Sequence, residues 1–117
     1  MKKDNSIFLS HILEAIKDIE DYVKDTSSQE DFITDKKTHD AVLRGFQVIG
    51  EAANNLDEDF LNSQTDVEWE KVIGMRNFII HEYFGVDLKI VWTTIKEDLP
   101  TFKENIKKLL QKTTSAV

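Results

Sequence analysis

Apolar residues recur every three or four positions along most of the chain, and this periodicity limits the possible folds more than any other feature. The first repeat consists of Phe8, Ile12, Ile16, Ile19 and Val23. Two later repeats consist of Val42, Phe46, Ile49, Ala53 and Leu56, and of Leu88, Val91, Ile95, Leu99, Phe102, Ile106 and Leu109. This spacing is typical of helices with one buried stripe, and no segment alternates as a half-buried strand does. The sequence therefore predicts an all-α antiparallel bundle of four to five helices.

Local patterns predict where several helices begin and end. The capping-box spacing that opens a helix occurs at Ser27-Ser28-Gln29-Glu30 and at Thr65-Asp66-Val67-Glu68. Gly85 is placed to end the helix that follows the second box, and Asp87 is placed to cap the next one. Pro100 should kink or break the last helix, because proline has no N–H to donate within a helix.

With 117 residues the chain is long enough for one hydrophobic core and too short for two. We predict a single domain over residues 1–113 and a disordered tail over residues 114–117. There are no cysteines, so disulfides and thiolate metal sites are excluded, and a reducing cytoplasmic location is compatible with the composition. No apolar run reaches the length of a membrane span, so we expect no membrane association.

The net charge of −7 is concentrated in one region of the chain. Residues 14–35 contain eight acidic residues against Lys17 and Lys24, so this segment carries −6 and the remainder only −1. Since affinity for phosphates depends mainly on Lys and Arg, this composition argues against broad coating of nucleic acid. A local positive site outside the acidic segment remains compatible with it.

The ten residues from Met75 to Phe84 combine side chains that are rare in this chain. They include one of its two arginines, Arg76, together with Asn77, His81 and Tyr83. A guanidinium binds phosphoryl oxygens bidentately, an imidazole exchanges protons near neutral pH, and a carboxamide orients either group. Arg76, Asn77 and His81 are therefore candidates for a phosphodiester site.

Helical spacing predicts that this site borders a buried face. On a helical wheel, Trp69, Ile73 and Ile80 fall on the same side as Arg76, and Asn77 and His81 form an i, i+4 pair along its edge. A half-buried arginine is costly unless its donors are satisfied.

The second long helix offers the arginine a partner. Arg44 begins a polar stripe that continues through Gln47, Glu51 and Asn54 or Asn55, so Glu51 is a candidate partner for Arg76. In the same helix, Gly50 and the Ala52-Ala53 pair indicate that another backbone approaches closely. From these residues alone, a purely structural Arg–Glu bridge is the simpler interpretation, with His81 and Tyr83 as ordinary helix-end residues.

Other sites are not predicted. His11 and His39 lack partners at metal-ligand spacing, and His81-Glu82 has no second histidine one turn later, so we predict no metal site. The four glycines are isolated, so there is no glycine-rich phosphate loop, and no cofactor is expected.

The chain resembles a known family. Arg76-Asn77 followed by His81 is similar to the Arg-polar-x-x-x-His signature of HEPN domains, and Tyr83-Phe84-Gly85-Val86-Asp87 resembles the HepT-like branch. The similarity extends over residues 91–95 and 98–100 downstream and over residues 44–54 upstream. It covers the chain from about His39 to Leu110.

The resemblance implies a helical homodimer that acts as a metal-independent endoribonuclease toxin on RNA. Its implied partner is an MNT-type nucleotidyltransferase antitoxin, which adenylylates the motif tyrosine, here Tyr83. Arg76 and His81 would be catalytic, with Asn77 and Glu51 in supporting positions. The alternative is a catalytically inactive helical dimer that binds a nucleotide or a protein partner through the same residues.

Overall fold

Helices account for almost all of the structure, a computed structural model that describes residues 4–82 and 85–115. In chain order they are α1 (Asn5–Val23), α2 (Gln29–Thr34), α3 (Lys36–Asn54), α4 (Glu58–Ser63), α5 (Trp69–His81), α6 (Leu88–Thr93) and α7 (Leu99–Ser115). A π-helical turn, Thr94–Asp98, joins α6 to α7. No strand occurs in the described ranges. The predicted all-α class is confirmed.

The predicted apolar stripes form the core, with α3 in the middle of the bundle. Ile12, Ile16 and Ile19 of α1 are fully buried, as is Val42 of α3. α3 packs against both α1 and α5, and α7 packs against α1. α5 therefore lies at one side of the bundle and is held mainly by α3.

Two hydrogen bonds show that neighbouring helices run antiparallel. The backbone N–H of Asp57, just after α3, donates to the side-chain oxygen of Asn5 at the start of α1, at 3.0 Å. Lys103, early in α7, donates to Glu20, late in α1, at 2.8 Å. These two contacts place the beginning of one helix beside the end of the next.

Four of the described helices begin with a side-chain cap, and two of these caps lie in segments predicted to carry one. The hydroxyl of Ser28 accepts from the N–H of Asp31 at 3.1 Å, and the carboxylate of Asp87 caps α6. The carboxylate of Asp35 accepts from the N–H of Thr38 at 3.1 Å and from its hydroxyl at 2.6 Å. The hydrogen bonds from Thr38 lower the pKa of Asp35. Each cap satisfies a backbone donor that the helix itself cannot satisfy.

The predicted capping box at Thr65 is wrong, because α5 begins four residues later, at Trp69, with no side-chain cap. Instead, two apolar side chains at or just before the start of α5 are buried in the core. Val67 and Trp69 are 7% and 6% exposed, and the indole N–H of Trp69 donates to the carbonyl of Gln64 at 3.1 Å. The burial of these two side chains therefore outweighs the local capping pattern and determines where α5 begins.

Gly85 does not end α5 as predicted. The last helical residue is His81, and the N–H of Glu82 still donates to the carbonyl of Phe78 at 2.9 Å. Gly85 has no positive φ, so it does not adopt the left-handed conformation of a glycine C-cap. Its N–H donates to the carbonyl of Glu82 at 2.7 Å.

Pro100 does not break the last helix. It is the second residue of α7, directly after the π-helical turn, and both Thr94 and Leu99 keep right-handed helical angles. The wider π turn accommodates a proline because its hydrogen bonds reach one residue further than those of an α-helix. α7 continues to Ser115, two residues into the segment predicted as a tail, and residues 116–117 lie outside the described part. None of the described helices is both long and apolar enough to cross a bilayer.

Candidate functional site

The buried face of α5 differs from the predicted one by about one residue. Trp69 is 6% exposed, as predicted, but Ile79 is fully buried and Ile80 is 48% exposed. The prediction that Ile80 shares the buried face is therefore wrong. α5 packs mainly on α3, and its buried residues are Trp69 and Ile79, whereas Ile80 faces outward. The wheel located Arg76 at the edge of the core but could not show which flank α3 covers.

Gly50 is the point at which α3 and α5 come closest to each other. A Cβ atom on Gly50 would overlap Cβ of Arg76 and would lie 2.9 Å from its Cγ and 3.4 Å from its Cα. Ala52 and Ala53 beside it are 6% and 0% exposed. The predicted close approach of a second backbone is confirmed, and the approaching residue is Arg76 itself.

The guanidinium of Arg76 is held by two side chains. Its Nε donates to Oε1 of Glu51 at 2.7 Å, and its Nη2 forms an ion pair with the same oxygen. Its Nη1 donates to Oδ1 of Asn77 at 2.9 Å. The structure therefore brings together three of the four residues that the sequence proposed for the core of the site, with Glu51 in the predicted contact.

Exposure shows that this cluster is an open surface site. The side chain of Arg76 is 26% exposed and that of Glu51 is 51% exposed. Arg76 has five N–H donors, and the contacts with Glu51 and Asn77 leave some of them free while fixing the plane of the guanidinium. A fixed, partly exposed guanidinium is suited to binding a phosphate from solvent.

His81 lies at the C-terminal end of α5, where its side chain is exposed. It follows Asn77 by one helical turn, so both are on the same side of the helix. His81 forms no hydrogen bond with any residue that the structure describes, which leaves its ring nitrogens available to a ligand. Tyr83, predicted as the modified residue, lies outside the described residues.

A trough beside this cluster was not recognised from the sequence. Its volume is about 360 Å³, and its walls come from α1, α3 and the end of α5. The lining includes Phe8, His11, Arg44, Gln47, Val48, Glu51 and Ile80. The polar stripe from Arg44 to Glu51 was the available signal. The residues of α1 and α5 that complete the trough come next to this stripe only through the packing of the three helices.

A larger cavity, of about 470 Å³, lies on the other flank of α5, between α3 and the π-helical turn. Val72, Met75 and Phe102 are among its lining residues. It contains none of the residues proposed for the phosphodiester site. Within residues 4–82 and 85–115, no three His, Asp or Glu side chains are grouped so that they could hold a metal ion.

Comparison with known proteins adds the family relationship. Residues 12–109 match the family model described as ribonuclease HepT-like. A protein of Thermococcus cleftensis named "Probable ribonuclease HepT" is 41% identical over 109 residues, which are 93% of this chain and 98% of that protein. A protein of Methanocaldococcus jannaschii named "Gamma-glutamylcyclotransferase and putative RNase" is 43% identical over 111 residues, or 95% of this chain. The chain spans 50% of the length of that relative. No solved structure matches significantly.

Proposed function

Because the chain belongs to the HepT-like ribonuclease family, we propose that it is an endoribonuclease that cleaves RNA without a metal ion, with Arg76 and His81 as its catalytic residues. The observation that carries the proposal is the guanidinium of Arg76, oriented by Glu51 and Asn77, with His81 one helical turn beyond Asn77 and not hydrogen-bonded to any described residue. Metal-free cleavage requires a base, an acid and a positive group at the phosphate, and these side chains supply that chemistry.

In the proposed reaction the RNA supplies its own nucleophile. A base removes the proton from the 2′-hydroxyl, whose oxygen then attacks the adjacent phosphorus. Arg76 stabilises the negative charge that develops on the phosphoryl oxygens. The bond to the 5′-oxygen breaks as an acid protonates that oxygen, leaving a 2′,3′-cyclic phosphate and a 5′-hydroxyl. His81 acts as the base or as the acid, and Asn77 and Glu51 orient Arg76.

A single histidine cannot readily serve as base and acid in the same step. We therefore propose a homodimer in which the C-terminal ends of two α5 helices lie near a two-fold axis, so that one cleft receives two copies of His81 and Arg76. Phe78, which is 38% exposed one turn before Glu82, gives this end of α5 an apolar surface that a second copy would cover.

The test of the proposed function is RNA cleavage by the purified protein in the presence of EDTA. Cleavage should persist in EDTA and leave 2′,3′-cyclic phosphate ends or their hydrolysis products. His81→Ala should lose this activity while keeping a wild-type circular dichroism spectrum, because His81 is exposed and supports no described contact.

A folded His81→Ala protein that cleaves as fast as the wild type would contradict the mechanism. In that case the alternative, an inactive module that binds a nucleotide or a partner, would be preferred; the contact of Glu51 with Arg76 also suits that function. Light scattering on the same samples tests the dimer. A mass of 13.6 kDa, that of one chain, would remove the two-fold element of the proposal.

The proposed regulation is adenylylation of Tyr83 by an MNT-type nucleotidyltransferase antitoxin. Tyr83 is two residues beyond His81 in the sequence, so an AMP group there would place a bulky anion close to the phosphate-binding residues. It would compete with RNA for Arg76 and repel the RNA backbone. We expect the protein, incubated with an MNT-type nucleotidyltransferase, ATP and magnesium, to gain the mass of AMP on the peptide that contains Tyr83. The gain should be absent from Tyr83→Phe, and a gain that survives this substitution would exclude Tyr83.

A further inference from the structure

The trough between α1 and α3 is continuous with the Arg76 site. Glu51 belongs to both, because it lines the trough and also binds the guanidinium of Arg76. Ile80, one residue before His81, forms part of the wall. A strand of RNA bound at Arg76 would therefore extend into this trough.

Arg44 is the residue in the trough that is equipped to bind an anion. It is exposed and forms no hydrogen bond or ion pair with any residue in the described ranges, whereas Arg76 is held by two partners. Glu51, the carboxylate in this trough, is already paired with Arg76. Arg44 precedes Glu51 by seven residues, which is two helical turns on the same face of α3 and about 10 Å along its axis. That separation places Arg44 at a different phosphate from the one that Arg76 binds.

Several other residues that line the trough are apolar and partly exposed. Phe8 and Val48 are half-buried, and Ile80 is 48% exposed. The ring of His11 lies edge-on to that of Phe8, with their centroids 6.4 Å apart. Unpaired bases bind to aromatic and apolar side chains through their faces, and they do so without requiring a particular sequence.

The trough also has a limit. Arg44 also lines a second cavity, whose lining includes Glu14, Asp18 and Tyr22. The two carboxylates there would repel a phosphate backbone. The favourable part of the trough is therefore short, which agrees with the acidic net charge of −7.

From this geometry we propose that the trough binds one unpaired nucleotide next to the cleaved bond, with its phosphate on Arg44 and its base on the wall formed by Phe8, Val48 and Ile80. This inference rests on the proposed ribonuclease function and adds a substrate subsite to it. It implies that the protein prefers single-stranded RNA, since a paired base cannot turn into the trough.

The experiment measures RNA binding separately from cleavage. A short, mixed-sequence, fluorescein-labelled oligoribonucleotide is titrated with the His81→Ala protein, and fluorescence anisotropy is followed at several salt concentrations. Adding Arg44→Ala should weaken binding about tenfold and reduce the slope of log K against log salt by about 0.7, the value for one phosphate contact with a single strand. Arg44→Lys should restore the slope. In the otherwise wild-type protein, Arg44→Ala should raise KM and leave kcat nearly unchanged.

Lys37→Ala is the matched control, because Lys37 is exposed on the same helix, carries the same charge and does not line the trough. It should leave both affinity and salt slope close to their original values. An equal loss with Lys37→Ala would show a general charge effect and overturn the subsite. Wild-type cleavage with unchanged binding in Arg44→Ala would overturn the subsite alone, whereas a protein that neither binds nor cleaves RNA would overturn the proposed function as well.

Discussion

Alanine in place of Gly50 is expected to lower the rate of RNA cleavage about a hundredfold, the effect of moving a reacting group by about 1 Å. Gly50 has no role in the chemistry, but its missing side chain allows Arg76 to lie against α3. An added methyl group would overlap Cβ of Arg76 and lie within 3.4 Å of its backbone. α5 would have to move away from α3, and the guanidinium would move with it. We expect a cost in unfolding free energy of about 1–3 kcal/mol, typical of overpacking.

Two other glycines provide matched controls for this substitution. A Cβ on Gly45, in the same helix, would lie 2.7 Å and 2.9 Å from side-chain carbons of buried Ile19, so Gly45→Ala overpacks the contact of α3 with α1 and does not touch Arg76. A Cβ on Gly74, in the same helix as Arg76, would meet nothing within 4 Å. Gly45→Ala should therefore cleave RNA at close to the wild-type rate, and Gly74→Ala should stabilise α5 by roughly 0.5–1 kcal/mol.

Single-turnover cleavage and thermal unfolding, measured on all three variants, test this prediction. An independent readout comes from NMR, because the chain has only two arginines, Arg44 and Arg76, and so two Nε–H signals. The Nε–H of Arg76 donates to Glu51, so its signal should shift in Gly50→Ala and remain in place in Gly45→Ala. Wild-type cleavage and an unchanged Arg76 signal in Gly50→Ala would show that this contact does not position the guanidinium.

The sequence predicted most of the fold because the interior of each long helix is specified locally. The stripe of α1 is buried as expected, with Ile12, Ile16 and Ile19 fully inaccessible. The cap at Asp87 was also predicted, because the capping side chain and the first turn of the helix lie within four residues of each other. These features depend on spacing along one segment, which a single sequence contains.

The errors occurred where two segments compete or meet. The capping pattern at Thr65 was overridden by the burial of Val67 and Trp69, and the exposed position of Ile80 follows from the way α5 packs on α3. The trough was missed for the same reason, since its walls come from three helices. By contrast, the contact of Arg76 with Glu51 was predictable, because a half-buried arginine requires an acceptor and a polar stripe supplied one.

Arg76→Ala is expected to reduce cleavage about a thousandfold, the upper end for loss of one charge-stabilising donor group. Its effect on stability should be small, about 1 kcal/mol or less, because the Arg76–Glu51 pair is partly exposed. Glu51 is 51% exposed, so water replaces the guanidinium when it is removed. If the bridge had only a structural role, Arg76→Ala would leave RNA cleavage unchanged.

Lys71→Ala is the control for loss of a positive charge from the same helix. Lys71 forms an exposed ion pair with Glu68 at 2.8 Å, and this contact raises the pKa of Lys71. Its removal should leave cleavage close to the wild-type rate. Arg76→Lys should not recover the wild-type rate, because an ammonium group cannot replace the planar fork that binds both Glu51 and a phosphate. Full activity in Arg76→Lys would reduce the role of Arg76 to that of a simple positive charge.

A double-mutant cycle tests whether Glu51 acts through Arg76 or directly. If Glu51 acts by orienting Arg76, Glu51→Gln should lower kcat in the wild-type background and have little further effect in the Arg76→Ala background. Glu51 also lines the trough that contains Arg44, and a direct role there would give a second outcome: the same loss in both backgrounds. The first result makes Glu51 a positioning residue for Arg76, since its 2.7 Å hydrogen bond matters only while the arginine is present.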